Sequence, residues 1–137
     1  MGIPLFMAKE RFSSCIYINA KHYEYSVISN EVMSLLKELS PNVEVYSIDE
    51  AFVDLTGLSK LYKMNYYKLA QYIRNEILEK VGIPVSIGVS RTKTLAKLAS
   101  DKSKNMESHV CIVGRQSISR FLKETEIDEI WGIEADL

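Results

Sequence analysis

The sequence has no apolar run of about 18 residues, the length that a membrane-spanning helix needs. Its first residues also lack the charged and then apolar pattern of a secretory signal peptide. No segment is rich in glycine, serine and proline as a flexible linker would be, and no stretch repeats another. These absences predict one compact cytoplasmic domain, because 137 residues are enough to bury a core but too few for several domains.

An excess of one charge is also missing, since 17 lysines and arginines nearly balance 18 aspartates and glutamates. Bulk charge therefore does not indicate nucleic acid binding, although a balanced total can hide a basic patch near an acidic site. The two cysteines, Cys15 and Cys111, lie far apart in apolar runs without a partner at zinc-ligand spacing. We predict that both are core thiols in a reducing compartment.

Several catalytic motifs are absent as well. There is no glycine-rich phosphate loop of the Walker type and no Gly-x-Ser-x-Gly elbow, which argues against a nucleotide-hydrolysing switch and a serine hydrolase. His22 and His109 have no partner spacing typical of a metal site or of catalysis. We predict that they are structural or exposed.

Apolar periodicity predicts alternating strands and helices along the chain. The predicted strands are 15–19, 43–47, 51–55, 85–90 and 110–113, and the predicted helices are 23–39, 66–81, 92–103 and 117–122. This order predicts an α+β fold, or an α/β layer, in which helices pack on one face of a sheet.

Asp49 and Glu50 are adjacent carboxylates at the bend of the predicted hairpin, between two apolar runs. Charges beside a core are costly unless a cation binds them. Mg²⁺ prefers one or two carboxylates completed by water and substrate phosphates, as nucleotidyl transfer needs. A solvated acidic bend is the more common origin of such a pair, so the pattern alone leaves both interpretations open. The flanking Tyr46 and Phe52 are predicted to lie in the core.

A stripe of positive charge accompanies the third predicted helix, where Lys93, Lys97 and Lys104 fall on one helical face. Like charges at this spacing repel, and phosphates lying against the stripe would offset the repulsion. A solvated lysine face explains the pattern equally well. Ser90 and Thr92, before the helix, either cap it or present hydroxyl and N–H groups to a phosphate, and capping is the simpler interpretation.

Two blocks of sequence resemble a known family. Residues 46–56, YSIDEAFVDLT, resemble the signature hairpin of the Y-family, or lesion-bypass, DNA polymerases, and residues 86–100, SIGVSRTKTLAKLAS, resemble the next palm segment of that family. Residues 92–99 and 130–133, IWGI, are more similar to the polymerase V catalytic-subunit branch than to polymerase IV. Residues 2–5, GIPL, resemble the end of the fingers.

The resemblance implies that residues 1–14 finish the fingers, residues 15–126 form the palm and residues 127–137 begin the thumb. It also implies a palm-like sheet whose first strand, with another metal-binding aspartate, would precede residue 1. A two-metal site would then be incomplete. We therefore expect that the full-length protein is a DNA-directed DNA polymerase, and that this chain alone does not extend primers.

Carried over by position, the resemblance makes Asp49 and Glu50 the catalytic carboxylates that bind Mg²⁺. Lys104 would reach the triphosphate of the incoming nucleotide. Ser90, Lys93 and Lys97 belong to the segment that approaches the DNA backbone. The implied reaction is attack of a primer 3′-hydroxyl on the α-phosphorus of a nucleotide.

The implied partners are primer-template DNA and a deoxynucleoside triphosphate, in error-prone DNA repair and the SOS response. A sliding clamp is also implied and, on the polymerase V branch, a recombinase filament and an accessory subunit. A missing first strand would leave an unpaired sheet edge, so we expect some self-association. Two other classes stay open: a non-catalytic regulatory fragment, and another two-metal enzyme such as a nucleotide cyclase, because fold does not fix function.

Overall fold

The computed structural model describes residues 2–133. Its helices are α1 (Leu5–Arg11), α2 (His22–Leu39), α3 (Leu58–Leu61), α4 (Tyr66–Val81), α5 (Lys93–Ser103), α6 (Ile118–Lys123) and a 3-10 turn at Ile127–Glu129. Its strands are β1 (Val43–Val45), β2 (Ala51–Val53), β3 (Ile87–Val89) and β4 (Val110–Ile112). Residue 1 of the expected fingers segment and residues 134–137 of the expected thumb segment lie outside the described residues. Across residues 2–133, every helix is too short or too polar to cross a membrane.

The strands form two small sheets. β1 and β2 are antiparallel, with Val43 opposite Val53, which confirms the predicted hairpin. β3 and β4 are parallel, with Ile87 opposite Val110. The α+β class is confirmed, but the single sheet expected from the sequence is present, in the described part of the chain, as two separate pairs of strands.

The predicted strand at residues 15–19 is wrong, because this segment has no regular structure. Ile16 and Ile18 are 88% and 84% exposed, and no strand among the described residues lies beside them. A strand needs a neighbour to satisfy its backbone N–H and C=O groups, so β-forming side chains alone do not make one. Instead, the Tyr17 hydroxyl donates to the carbonyls of Ala8 (2.7 Å) and Phe12 (2.9 Å), which ties the segment to α1.

The two cysteines differ in burial, because only Cys111 lies on a strand that has a neighbour. Cys15 is exposed in the unpaired segment, so the prediction of a core thiol is wrong there. Cys111 on β4 is 9% exposed and belongs to a core cluster, as predicted. Burial raises the pKa of the Cys111 thiol, and the weaker effect of the nearby Lys102 charge does not cancel this.

The larger core joins α2, α4 and the hairpin. The apolar faces of the two helices meet through side chains such as Leu36, Leu69 and Ile73, and both helices lie where apolar spacing predicted them. α4 begins where the Asn65 side chain accepts the Lys68 N–H at 2.9 Å. It ends at Gly82, whose φ of +81° is the left-handed conformation that favours glycine. This core supports the hairpin that carries the acidic pair.

A second core joins α5, β4 and α6 through Leu98, Ala99 and Phe121. α5 lies directly against β3 at Gly88, where an added Cβ would be 2.1 Å from the Ser100 nitrogen. The neighbouring Ile87 packs instead with the α2–α4 core. Because successive residues of a strand point to opposite faces, α4 and α5 flank β3 on both sides, where the sequence predicted helices on one face.

Candidate metal and phosphate site

The bend between β1 and β2 is a compact loop held by backbone hydrogen bonds. The N–H groups of Tyr46 and Ser47 donate to the Glu50 carbonyl at 2.9 and 3.1 Å. The Ser29 hydroxyl of α2 donates to the Ile48 carbonyl, which fixes the loop to the helix beneath it. The hairpin thus holds the acidic pair at a defined place.

The two carboxylates have different surroundings. Asp49 is exposed, and its Oδ1 accepts the Ser47 hydroxyl at 2.7 Å. Glu50 is half-buried and forms an ion pair with Lys97 of α5. Asp49 has no ion-pair partner among residues 2–133, so its carboxylate faces solvent. A charge that is partly removed from water needs a partner of opposite sign. For the half-buried Glu50 carboxylate, that partner is the ammonium group of Lys97.

Lys97 also reaches along its own helix. Its Nζ lies 3.3 Å from Asp101 Oδ2, and Asp101 Oδ1 accepts from Lys104 Nζ at 2.7 Å. Burial alone would lower the pKa of Lys97, but Glu50 and Asp101 outweigh it and raise that pKa. Burial likewise opposes ionisation of Asp101, yet Lys104 and Lys97 lower its pKa. Both pKa shifts favour the charged forms of Lys97 and Asp101, and ion pairs link these two residues to Glu50 and Lys104.

Lys93, the first residue of α5, pairs with Glu44 of β1. Its ammonium also lies 5.6 Å from the centre of the Phe52 ring. Each of the three lysines predicted to form a positive stripe thus contacts a carboxylate. Lys93 and Lys97 join α5 to the hairpin through these ion pairs, whereas Lys104 pairs with Asp101 of α5 itself.

The two hydroxyls before α5 have separate roles. The Thr92 side chain accepts the Leu95 N–H at 3.3 Å and caps the helix, as the simpler interpretation predicted. The Ser90 hydroxyl donates to the Val113 carbonyl at 2.8 Å and so ties the end of β3 to the chain after β4. Ser90 is not brought to the acidic pair by any of these contacts.

An aromatic cluster lies beside the acidic pair. The Trp131 indole N–H donates to the Tyr46 hydroxyl at 3.3 Å, and the two ring centres are 5.1 Å apart. The Phe52 ring lies 5.6 Å from Trp131. Tyr46 is 50% exposed, so the prediction that it lies in the core is wrong. It instead joins the hairpin to the C-terminal segment.

The donor set at the bend suits a hard divalent cation. Among the described residues, no group of three or more His, Cys, Asp and Glu side chains is placed to hold a metal ion. Mg²⁺ does not need such a group, since it commonly takes one or two carboxylates and completes its shell with water and phosphate oxygens. Asp49 and Glu50 fit that incomplete set, with Asp49 open to solvent.

Sequence reasoning missed two partners of the lysines. Asp101 follows Lys97 by four residues and precedes Lys104 by three, so helical spacing alone could have identified it. Glu44 pairs with a lysine 49 residues away, and no local pattern indicates such a contact. The Trp131 contact with Tyr46, 85 residues apart, is equally nonlocal.

Comparisons with known proteins identify the family. A sequence model of the impB/mucB/samB family matches residues 1–101, and the chain belongs to this family. It is 33% identical over 132 residues to DNA polymerase IV of Saccharolobus solfataricus. It is 36% identical over 138 residues to the protein UmuC of Salmonella typhimurium. Since both types match at similar identity, the predicted polymerase V branch stays a prediction.

Solved structures agree with the fold. The crystal structure of DinB from Sulfolobus solfataricus matches with a TM-score of 0.85 and 36% identity, over 98% of this chain and 39% of that one. A Y-family DNA polymerase chimera of Dbh and Dpo4 matches with a TM-score of 0.80 and 37% identity, over 96% of this chain and 38% of that chain. The resemblance to Y-family polymerases is confirmed.

The matches cover nearly the whole of this chain but only part of each relative. The alignments span 96% of this chain, against 37% of the polymerase IV and 32% of UmuC. The chain therefore corresponds to about a third of these relatives.

Proposed function

We propose that this chain is the palm-containing part of an error-prone, lesion-bypass DNA polymerase, a nucleotidyltransferase of DNA repair and the SOS response. The observation that supports it is the match to Y-family polymerase structures over nearly the whole chain, at 36% identity. One such structure is an insertion ternary complex of Dbh DNA polymerase. On the same basis we propose that residues 1–14 end the fingers, 15–126 form the palm and 127–137 begin the thumb.

Asp49 and Glu50 are the proposed catalytic carboxylates and Mg²⁺ ligands. The bound ion would supply neutralising charge for the phosphate oxygens during nucleotidyl transfer. The chain itself supplies position: hydrogen bonds within the loop hold Glu50, and Ser47 orients Asp49. The hairpin is seated on α2 through Ser29, so both carboxylates are oriented before any substrate arrives.

Lys104 is the proposed contact to the triphosphate of the nucleotide. Its side chain is 60% exposed, and its ion pair with Asp101 is a surface contact that a phosphate can replace. Ser90, Lys93 and Lys97 are proposed to lie near the DNA backbone. Of these, Lys93 is the most available, since its side chain is 53% exposed against 19% for Lys97.

The proposed substrates are primer-template DNA and a deoxynucleoside triphosphate, in the cytoplasm. A sliding clamp, and on the polymerase V branch a recombinase filament and an accessory subunit, are proposed partners of the full-length protein. Their docking surfaces are expected outside these residues.

Primer extension tests the proposal. In a chimera, this chain would replace the matching segment of the Saccharolobus solfataricus DNA polymerase IV, which supplies the remaining parts of the enzyme. We expect the chimera to extend a primer across a template abasic site in Mg²⁺, whereas the 137-residue chain alone gives no extension. A folded chimera without extension would contradict the proposal and favour a non-catalytic role.

Self-association is expected of the chain by itself. The segment that forms no strand leaves Ile16 and Ile18 more than four-fifths exposed, and Phe6 nearby is 67% exposed. Sedimentation velocity should show a mass that rises with concentration, and replacing Ile16 and Ile18 with Lys should lower it. Leu61→Lys, at an exposed site on α3 (71%), is the matched control and should leave the association unchanged. A monomer at all concentrations would refute the expectation.

A further inference from the structure

Lys97 differs from the other lysines around the acidic pair. Its side chain is 19% exposed, whereas those of Lys93 and Lys104 are 53% and 60% exposed. Its ammonium pairs with Glu50 and lies 3.3 Å from Asp101. A half-buried ammonium with two carboxylate partners is less available to DNA phosphates than that of Lys93, so its place near the DNA backbone leaves room for a second role.

The Lys97 ammonium contacts the same Glu50 carboxylate that is proposed to bind the divalent cation. An ion bound by Glu50 is repelled by the positive charge that already neutralises this carboxylate, and this repulsion is strong over a few ångströms at a partly buried site. Lys97 can relieve it without losing its own counter-ion, because Asp101 lies one helical turn further along α5. The movement required is small, since both acceptors are within reach of the same flexible side chain.

We propose that Lys97 is an internal counter-ion of the acidic pair, a positioning residue whose ammonium passes from Glu50 to Asp101 when a divalent cation binds. The inference rests on the proposed function, since it concerns the same metal site. Without the metal, Lys97 holds Glu50 in place and neutralises its carboxylate, which would otherwise be a half-buried charge without a partner. With the metal, Asp101 takes over the ammonium, so Asp101 sets how readily the site accepts the ion.

Substitutions of Lys97 and of Asp101 should change the Mg²⁺ dissociation constant in opposite directions. Lys97→Gln removes the competing cation and should lower the Mg²⁺ dissociation constant about three- to tenfold. Asp101→Asn removes the second acceptor, confines the ammonium to Glu50 and should raise that constant by a similar factor. Lys97→Arg keeps the charge and should stay close to the wild-type value. In the double variant the Asp101→Asn effect should vanish, because no ammonium remains to be held.

The experiment is a Mg²⁺ titration of the 137-residue chain, followed by the backbone amide signals of Asp49 and Glu50 in ¹H–¹⁵N NMR spectra. Lys102→Gln is the matched control, since it also removes a paired lysine from α5 but one whose partner, Glu124, lies outside the hairpin, and it should leave the constant unchanged. Thermal unfolding of each variant, with melting temperatures close to wild type, verifies that the fold is retained.

Equal dissociation constants in wild type and Lys97→Gln would overturn the inference while leaving the metal site in place. An Asp101→Asn effect that persists in the double variant would also overturn it, since Asp101 would then act on the ion through its own charge. If Mg²⁺ moved no hairpin signal in any of the chains, the metal site of the proposed function would fail, and the inference with it. The two failures are thus distinguished by whether wild-type signals respond.

Discussion

Asp49→Asn should reduce primer extension by the chimera by roughly a thousandfold or more. A carboxamide keeps the size of the side chain and can still accept the Ser47 hydroxyl, but it lacks the negative charge that makes a strong Mg²⁺ ligand. Losing about 4 kcal/mol of transition-state stabilisation corresponds to this loss of rate, since about 1.4 kcal/mol is tenfold. The measurement is single-nucleotide incorporation at saturating nucleotide.

The control for this substitution lies on the same hairpin. Asp54 is exposed, and its carboxylate accepts the Thr56 N–H at 2.9 Å. Asp54→Asn removes the same charge five residues away and should leave incorporation within about twofold, as expected for an exposed substitution remote from the reacting groups. Near-wild-type activity of Asp49→Asn would remove Asp49 from the catalytic role, and equal losses in both variants would indicate a general effect of hairpin charge.

Gly88→Ala should destabilise the chain by about 3 kcal/mol or more, at the upper end of what overpacking normally costs. The added methyl group would lie 2.1 Å from the Ser100 nitrogen, 2.2 Å from the Ala96 carbonyl oxygen and 2.6 Å from the Ala99 carbonyl carbon. All three are helix backbone atoms, so no side chain can rotate away, and α5 itself must move off β3. We expect the melting temperature to fall by roughly 10 °C.

Gly114→Ala provides the comparison, because its added Cβ meets no atom of residues 2–133 within 4 Å. Its melting temperature, followed by circular dichroism, should stay within a few degrees of wild type. If both variants melted together with wild type, the close approach of α5 to β3 would be refuted. The displacement of α5 in Gly88→Ala should also weaken the ion pair at the acidic pair, since α5 carries Lys97, the partner of Glu50.

The spacing of apolar residues along the sequence predicted the hairpin that carries the acidic pair and the two helices beneath it. Alternating apolar residues on either side of Asp49 and Glu50 indicated two strands, and a bend between them follows from the chain having to reverse. Helical spacing of Leu36 in α2 and of Ile73 in α4 likewise identified the two helices beneath the hairpin. These elements bury their apolar faces against one another. The position of each apolar face can therefore be predicted from the spacing of apolar residues alone.

Features that depend on distant partners were not predictable in this way. Residues 15–19 have the composition of a strand, but pairing decides whether a strand forms, and no partner lies beside them in residues 2–133. The lysines of α5 were recognised as a stripe, yet their neutralisation by Glu44 and Glu50 requires the hairpin to fold back onto the helix. Such contacts are products of tertiary packing and leave no periodic signal.

The contact between Trp131 and Tyr46 makes the chain its own optical sensor. Trp131 is the one tryptophan of the sequence, so all indole emission comes from the segment that touches the hairpin next to the acidic pair. With ring centres 5.1 Å apart, excitation of Tyr46 passes efficiently to the indole while the contact lasts. Separation of the C-terminal segment from the hairpin would restore tyrosine emission and shift that of tryptophan, without any attached dye.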